Sequence, residues 1–295
     1  MSTKQFTGII PPVITCFDKQ GNIDEKLQRN LVRWLSTRVQ GFYPCGTYGS
    51  GPLMTTAERK RVAEIVNEEK GNAFVITHVG AATTAEAVEL AKHSEKIGVD
   101  AVGSIPPYYY HYTQEQLIDH YKKLIDAVKI PVFLYNNPGL SNNPVTPKTL
   151  SILADYGLAG VKDSAFDLVA FYDYKLAVDK PDFQFIIGTE AIASGALDAG
   201  ATGVIAGLAN CFPEFMQEFY NTWKAGNPFA TGKKQLDVLK ARNTILKLDQ
   251  TLTLTYALLR MRGIDPGYPR APFSEVSQEI YNKAKKLAEE QGLLA

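Results

Sequence analysis

The chain has 295 residues, 45% of them hydrophobic, and its 31 Lys+Arg balance its 31 Asp+Glu to a formal net charge of zero. This composition is that of an ordinary globular protein, and the lack of excess positive charge argues against a nucleic-acid partner. No apolar run approaches the roughly 18 residues of a membrane-spanning helix, and residues 1–6 lack the apolar stretch of a signal peptide, so we expect no membrane partner and a cytoplasmic location.

Cysteine and histidine usage argues against a metal. Cys16, Cys45 and Cys211 are odd in number, widely separated and outside any C-x-x-C pattern, and the four histidines show no H-E-x-x-H spacing. We therefore expect buried, reduced thiols and no metal site.

Eight short runs rich in β-branched and aromatic residues recur along the chain, each bounded by Gly, Pro or Asn. They cover residues 8–15, 41–46, 73–79, 101–106, 131–136, 158–164, 183–188 and 203–207. The runs are nearly continuously apolar rather than alternating, which is typical of parallel strands buried on both faces.

Helix signals separate these runs. Capping-box patterns at Thr55, Thr83 and Thr113 each predict a helix start, and Thr146 followed by Pro147 predicts another. After the eighth run, helices are predicted over residues 213–225, 232–263 and 273–294.

Eight strand–helix units predict a (β/α)8 TIM barrel with a C-terminal helical extension. Successive strand starts lie roughly 20 to 33 residues apart, which is the length of a strand, a loop and a crossover helix. We divide the chain into a barrel over residues 1–212 and a C-terminal helical layer packed on it over residues 213–295. The alternative, a doubly wound sheet, usually has a Gly-rich turn after its first strand, and residues 15–21 contain no G-x-G-x-x-G.

Lys162 is the most informative candidate for chemistry at the carboxyl ends of the strands, where barrel active sites are built. Its ammonium interrupts an apolar strand, and burial there lowers the pKa of a lysine and makes it a nucleophile for a carbonyl. The alternative is a lysine that only pairs with Asp163 or another carboxylate.

Other strand ends carry weaker candidates. Tyr135 is placed to move a proton or merely to pack. The turn at residues 46–49 is either a carboxylate cradle, with Thr47 beside free backbone amides, or a plain turn. The tyrosines at 108–110 fit a rim or a subunit interface.

Together these segments resemble the class I pyruvate-dependent aldolases of the dihydrodipicolinate synthase and N-acetylneuraminate lyase superfamily, over essentially the whole chain. Four motifs carry the resemblance and occur in the family's order: the G-T-Y-G turn at residues 46–49, P-Y-Y at 107–109, Y-N-N-P at 135–138 and G-V-K-D-S at 160–164.

The resemblance implies a catalytic set of Lys162, Tyr135 and Tyr109. Lys162 would form a Schiff base with pyruvate or a 2-oxo acid, Tyr135 would be the acid and base, and Tyr109 would reach into a neighbouring subunit's site. The implied substrate-binding residues are Thr47, Tyr48, Ser164, Gly188, Thr189, Glu190 and Ala206. The resemblance also implies a homotetramer, with a small-molecule 2-oxo acid and an aldehyde as partners and no cofactor beyond the covalent imine.

Departures from the family pattern narrow the range of substrates that we expect. Tyr48 replaces the second Thr of the family turn, Ser50 replaces the Glu that commonly follows, and Leu140 replaces an Arg that binds a second carboxylate in the synthases. Segments 46–52 and 267–272 are similar to 2-keto-3-deoxygluconate aldolases, and Glu190 suits substrate hydroxyls. The leading hypothesis is therefore reversible cleavage of a 2-keto-3-deoxy sugar acid to pyruvate and a hydroxyaldehyde.

Two other functions stay open. One is an N-acetylneuraminate lyase or dihydrodipicolinate synthase-type reaction on the same imine chemistry. The other is a catalytically silent protein that binds a 2-oxo acid.

Overall fold

A computed structural model describes residues 4–294 and arranges eight short parallel strands as a barrel. The strands are β1 Gly8–Ile10, β2 Gly41–Phe42, β3 Phe74–His78, β4 Ala101–Ser104, β5 Val132–Asn136, β6 Gly160–Asp163, β7 Gln184–Ile187 and β8 Gly203–Ile205. The predicted first strand, residues 8–15, is too long. Pro11 and Pro12 follow Ile10 directly, and a proline has no N–H to donate to a strand ladder.

The barrel closes between its first and last strands. Gly8 of β1 pairs with Gly203 of β8, and each remaining strand pairs in parallel with its sequence neighbour from β8 back to β2. Backbone hydrogen bonds from Gln40 N to Ile9 O (3.1 Å) and from Tyr43 N to Pro11 O (3.0 Å) join the β1 and β2 segments. The TIM-barrel prediction is confirmed.

Helices connect the strands. They are α1 Glu25–Ser36, α2 Thr56–Glu69, α3 Thr84–Lys96, α4 Gln114–Ala127, α5 Pro138–Ser141, α6 Pro147–Tyr156, α7 Leu168–Ala177 and α8 Ala193–Asp198. Complete capping boxes open α2 at Thr55 and α4 at Thr113. At α3 only half of the predicted box forms: Thr83 caps Glu86 N, whereas the Glu86 carboxylate accepts a hydrogen bond from Thr56 Oγ1 (2.9 Å).

Four more helices follow β8: α9 Pro213–Lys224, α10 Pro228–Ala241, α11 Thr251–Met261 and α12 Gln278–Glu290. The continuous helix predicted over 232–263 is wrong, because a π-helical turn at Arg242–Leu246 and a break before Thr251 interrupt it. Asp249 accepts a hydrogen bond from Gln250 N there, a local contact that competes with helix formation. The last helix begins at Gln278, not at 273, because Ser277 caps it through Ile280 N.

Helix α9 packs against β1 and so occupies the place of the eighth outer helix. We therefore propose that the barrel ends after Lys224, later than the residue 212 of the sequence-based division. None of the helices within residues 4–294 is long and apolar enough to cross a membrane.

Two apolar cores follow from the barrel. The larger lies between strands and helices, and includes Cys16, Cys45 and Cys211 as buried free thiols. The smaller fills the barrel interior, where Phe6 packs edge-to-face on Phe74 and Phe133 at centroid distances of 5.1 and 5.4 Å. This aromatic layer closes the barrel beneath the carboxyl ends of the strands.

Candidate active site

Strand alternation directs Lys162 of β6 into the barrel. Its backbone pairs with Tyr135 on β5, and its Nζ lies 3.4 Å from the centroid of the Tyr135 ring and 4.2 Å from that of Tyr43. The next residue, Asp163, faces the opposite way, and its Oδ1 accepts a hydrogen bond from Asn136 Nδ2 (2.6 Å). The alternative in which Lys162 pairs with Asp163 is therefore wrong.

Burial lowers the pKa of Lys162, which is only 4% exposed, because a charged amine is poorly solvated there; Tyr135 acts in the opposite direction. The same burial would raise the pKa of Tyr135. That effect is outweighed by the Lys162 charge and by hydrogen bonds from Thr47 and Asn137, so the pKa of the Tyr135 phenol lies below its ordinary value. The pair combines an amine that loses its proton readily with a phenol that also gives up its proton readily and, as the phenolate, can take one.

Two polar contacts orient the Tyr135 hydroxyl. Asn137 Nδ2 donates to it at 2.9 Å, and the hydroxyls of Thr47 and Tyr135 lie 3.5 Å apart. Asn137 follows Tyr135 by two residues, so the Y-N-N-P segment supplies both the phenol and one of its hydrogen-bond partners.

The turn after β2 is held tightly closed and carries Thr47 at the cavity. Gly49 packs so closely that an added Cβ would lie 2.8 Å from Cys45 N. The amides of Ser50 and Gly51 donate within the turn, to Thr47 O (3.2 Å) and Gly46 O (3.0 Å). Within residues 4–294 the backbone amides of Thr47 and Tyr48 donate to no backbone carbonyl. Two N–H groups are therefore left beside the Thr47 hydroxyl.

Tyr43 and His78 form a buried layer below Lys162 that the sequence analysis missed. His78 Nδ1 contacts Cys45 O (3.1 Å) and its Nε2 contacts Ile105 N (3.3 Å). A carbonyl only accepts and an amide only donates, so the ring carries one proton, on Nδ1. Burial, and then the Arg59 charge, lower the pKa of His78 and keep it neutral. Neither residue is distinguished in the sequence from the apolar strands around it.

The cavity above this layer has a volume of about 390 Å³. Of the predicted site residues, those that line it are Thr47, Tyr48, Tyr135, Lys162, Ser164, Gly188, Thr189 and Glu190. Residues that sequence reasoning did not assign to the site also line it, including Asn137, Phe166, Arg242 and Thr251. A larger depression of about 870 Å³ lies between the ends of α1 and α9 and contains none of the predicted site residues.

Two predicted residues lie outside this cavity. Tyr109 is 80% exposed, in a left-handed backbone conformation with φ of 84°. Ala206 is buried and donates its N–H to Ile10 O (3.1 Å), which ties the end of β8 to β1.

Glu190 also lines the cavity. Its Oε2 accepts a hydrogen bond from Gly207 N (3.1 Å), and its Oε1 lies 3.6 Å from Arg242 Nε. Burial raises the pKa of Glu190 despite these contacts. The Tyr48 ring packs on Gly207, where an added Cβ would lie 2.5 Å from Tyr48 Cζ and closer still to its oxygen. Glycine at 207 thus makes room for the Tyr48 ring.

This fold and site define a class of protein: a barrel enzyme with one buried lysine at the carboxyl ends of its strands, the arrangement of Schiff-base lyases. The model of the dihydrodipicolinate synthetase family matches residues 5–291, so the chain belongs to that family. It is a pyruvate-dependent lyase that acts through a Schiff base.

Two relatives named for different activities have the same sequence identity to this chain. The 4-hydroxy-tetrahydrodipicolinate synthase of Methanopyrus kandleri is 32% identical over 98% of both chains. The probable 2-dehydro-3-deoxy-D-pentonate aldolase of Escherichia coli is 32% identical over 99% of both. Among solved structures, a prophage protein of the family from E. coli K12 in complex with pyruvate superposes with a TM-score of 0.93 at 25% identity, covering 98% of this chain and 99% of that one.

Proposed function

We propose that the protein reversibly cleaves a 2-keto-3-deoxy sugar acid to pyruvate and a hydroxyaldehyde. The observation that carries the proposal is the composition of the cavity: a single lysine beside Tyr135, and side chains that can bind hydroxyls, Ser164, Thr189 and Glu190. The lysine suits a 2-oxo acid, and the hydroxyl-binding side chains suit a hydroxylated tail.

Lys162 begins the reaction as the nucleophile. Its neutral Nζ attacks the C2 carbonyl, and Tyr135 gives its proton to the hydroxyl that leaves as water, so that a protonated imine and a Tyr135 phenolate remain. The phenolate takes the proton of the C4 hydroxyl, the C3–C4 bond breaks, and its electron pair enters the imine to give an enamine as the aldehyde leaves. The Tyr135 phenol returns that proton to C3 of the enamine. Water then adds to the imine, its released proton returns to Tyr135, and pyruvate leaves with Lys162 as the neutral amine.

The turn after β2 would hold the substrate carboxylate. The Thr47 hydroxyl and the amides of Thr47 and Tyr48 supply donors next to Tyr135. In this arrangement C2 lies between the carboxylate and Lys162, and the remaining carbons extend toward Glu190.

The E. coli aldolase relative and the pyruvate complex of a family member support this reaction. The M. kandleri synthase favours a second candidate, condensation of pyruvate with an amino-acid aldehyde. Leu140 argues against it, since this cavity residue offers no donors for a second carboxylate. An N-acetylneuraminate lyase reaction uses the same imine, whereas a silent 2-oxo-acid-binding protein would not turn over.

The surface supports a homotetramer. Tyr109 and Tyr110 form one exposed aromatic pair, with ring centroids 5.0 Å apart, and Val169, Tyr172 and Leu176 form a separate exposed apolar stripe on α7. A tetramer of dihedral symmetry needs two different self-complementary patches. In such an assembly Tyr109 would project from one subunit toward the site of its neighbour.

Substitution of the nucleophile tests the reaction. Lys162→Ala should abolish pyruvate release from 2-keto-3-deoxy sugar acids, whereas Lys175→Ala, which removes an amine that packs on Phe185 outside the cavity, should retain it. Condensation of pyruvate with a hydroxyaldehyde, an amino-sugar aldehyde and an amino-acid aldehyde then separates the candidates. Full cleavage by Lys162→Ala, or pyruvate binding without turnover of any aldehyde, would contradict the proposal.

A further inference from the structure

One aromatic ring beside Lys162 has no part in the proposed reaction so far. Tyr43 directly follows β2, is only 1% exposed, and its ring faces the lysine. Lys162 Nζ lies 4.2 Å from the centroid of this ring and 3.4 Å from that of Tyr135. The two rings stand at 80° to one another, with their centroids 5.9 Å apart. The amine therefore lies in a corner formed by two aromatic rings.

Packing, rather than hydrogen bonding, holds the Tyr43 ring in this place. An added Cβ on Gly46 would lie 3.0 Å from Tyr43 Cε1, and one on Gly103 would lie 2.7 Å from the Tyr43 hydroxyl oxygen. That hydroxyl is buried and has no hydrogen-bond partner within residues 4–294. Burial raises the pKa of Tyr43 well above its ordinary value, so the phenol stays neutral. What Tyr43 presents to the amine is thus the face of its ring.

The imine at Lys162 needs a contact that stabilises its charge without removing its proton. The protonated imine is the electron sink for cleavage of the carbon–carbon bond, so its charge must persist until that bond breaks. The carboxylate of Asp163 faces away from the cavity toward Asn136, and Glu190 lies beside an arginine. A ring face attracts a cation and accepts no proton from it.

We propose that Tyr43 is a further catalytic residue, whose ring face stabilises the positive charge of the imine formed at Lys162. Such a contact is stronger in a buried site than at a surface, because the cation has lost its water. Tyr135 alternates between phenol and phenolate during the reaction, whereas Tyr43 keeps the same charge throughout. The inference rests on the proposed function and adds to it a residue that no motif indicated.

The experiment changes the electrons of the ring face separately from its shape. Tyr43→Phe keeps the face and removes only the unpartnered hydroxyl. Tyr43→trifluorophenylalanine keeps the shape, but its fluorine atoms withdraw electrons from the face, and Tyr43→Leu removes the face altogether. The quantity measured is the pyruvate concentration that half-saturates the imine, from intact mass after reduction with cyanoborohydride.

The pH dependence of this quantity gives the expected sign. At mildly acidic pH the free amine is already protonated, so imine formation exchanges one cation for another and the ring face stabilises both. At alkaline pH the free amine is neutral, so only the imine is stabilised. Tyr43→Phe should match the wild type at both pH values. The trifluorinated variant and Tyr43→Leu should match it at acidic pH and need about tenfold more pyruvate at alkaline pH.

The surroundings of Lys162 are the same in all these proteins. The other titratable or charged side chains around it are therefore common to every variant and cancel in the comparison: Tyr48, His78, Tyr135, Glu190 and Arg242. Phe185→Leu is the matched control, because it removes a ring whose centroid lies 4.3 Å from Lys175 Nζ, outside the cavity. It should leave the pH dependence unchanged.

Two results would overturn the inference. One is an equal pyruvate requirement of Tyr43→Phe and the trifluorinated variant at every pH, and the other is a weakening of the same size at acidic and alkaline pH, which a distorted site would give. These two variants have nearly the same shape, so they decide the matter even where Tyr43→Leu does not fold. No adduct on Lys162 in the wild type would contradict the proposed function as well, whereas an adduct that is indifferent to the ring electrons would contradict only the role of Tyr43.

Discussion

Asp163 gives a prediction whose size follows directly from the structure. The side chain is fully buried, its Oδ1 accepts from Asn136, and its Oδ2 has no hydrogen-bond partner within residues 4–294; the same is true of Asn136 Oδ1. Burial raises the pKa of the Asp163 carboxyl from its ordinary 3.8 to about 6. The folded protein therefore binds this proton more tightly than the unfolded chain does.

The sign and magnitude follow from linkage. A raised pKa means that the contribution of Asp163 to the free energy of unfolding is fully present below pH 3.8 and is lost as the pH rises through about 6. At 1.36 kcal/mol per pKa unit, the loss is about 3 kcal/mol. An amide of the same shape never ionises, and its NH2 group, which takes the place of Oδ2, can donate to the unpartnered Asn136 Oδ1. Asp163→Asn should therefore be more stable than the wild type above pH 6 by up to about 3 kcal/mol.

Urea denaturation of both proteins across this pH range measures the effect. The diagnostic quantity is the difference between the free energies of unfolding of the two proteins, because other groups titrate in both. For example, Arg270 lowers the pKa of the Glu58 carboxyl to about 2, and a lowered carboxyl pKa makes the free energy of unfolding rise with pH. The advantage of Asp163→Asn should grow between pH 4 and 7. A difference that stays constant over this range, or that shrinks as the pH rises, would refute the reasoning.

Three further predictions concern the phenol, the cavity wall and the surface. Tyr135→Phe removes the group that raises the pKa of Lys162, so the pH profile of imine formation should move toward acid. Imine formation should persist, while aldol turnover falls at least tenfold. An unchanged pH profile in borohydride trapping would show that Tyr135 does not influence the pKa of Lys162. Gly207→Ala forces the Tyr48 ring to move, so the KM for the aldehyde should rise and the free energy of unfolding should fall by about 1–3 kcal/mol. Kinetics that match the wild type would show that the ring does not shape the cavity. Leu176→Glu places a charge on the exposed stripe of α7 and should reduce a tetramer to dimers in analytical ultracentrifugation; a tetramer that persists would show that the stripe is not an interface.

Much of the fold and the core of the site could be predicted because they leave local signals. Eight apolar runs with helices between them predicted the barrel, and an ammonium inside such a run singled out Lys162. The same signals failed at strand ends, where Pro11 and Pro12 keep an apolar segment out of the ladder.

Residues brought in by tertiary packing could not be predicted. Arg242 belongs to a sequence with ordinary helical periodicity, and only the π-helical turn places it over the cavity. Tyr43 directly follows β2 and His78 ends β3, and their position beside Lys162 and Tyr135 depends on barrel closure. Tyr109 matches a family motif but is exposed in a single chain, so its predicted role depends on a neighbouring subunit.

The most direct test of the central claim is the intact mass of the protein after incubation with pyruvate and borohydride, followed by mapping of the modified peptide. The account predicts one reduced pyruvyl group per chain, located on Lys162, and none in Lys162→Ala. A folded protein that gains no adduct, or one modified on a lysine outside the cavity, would contradict it.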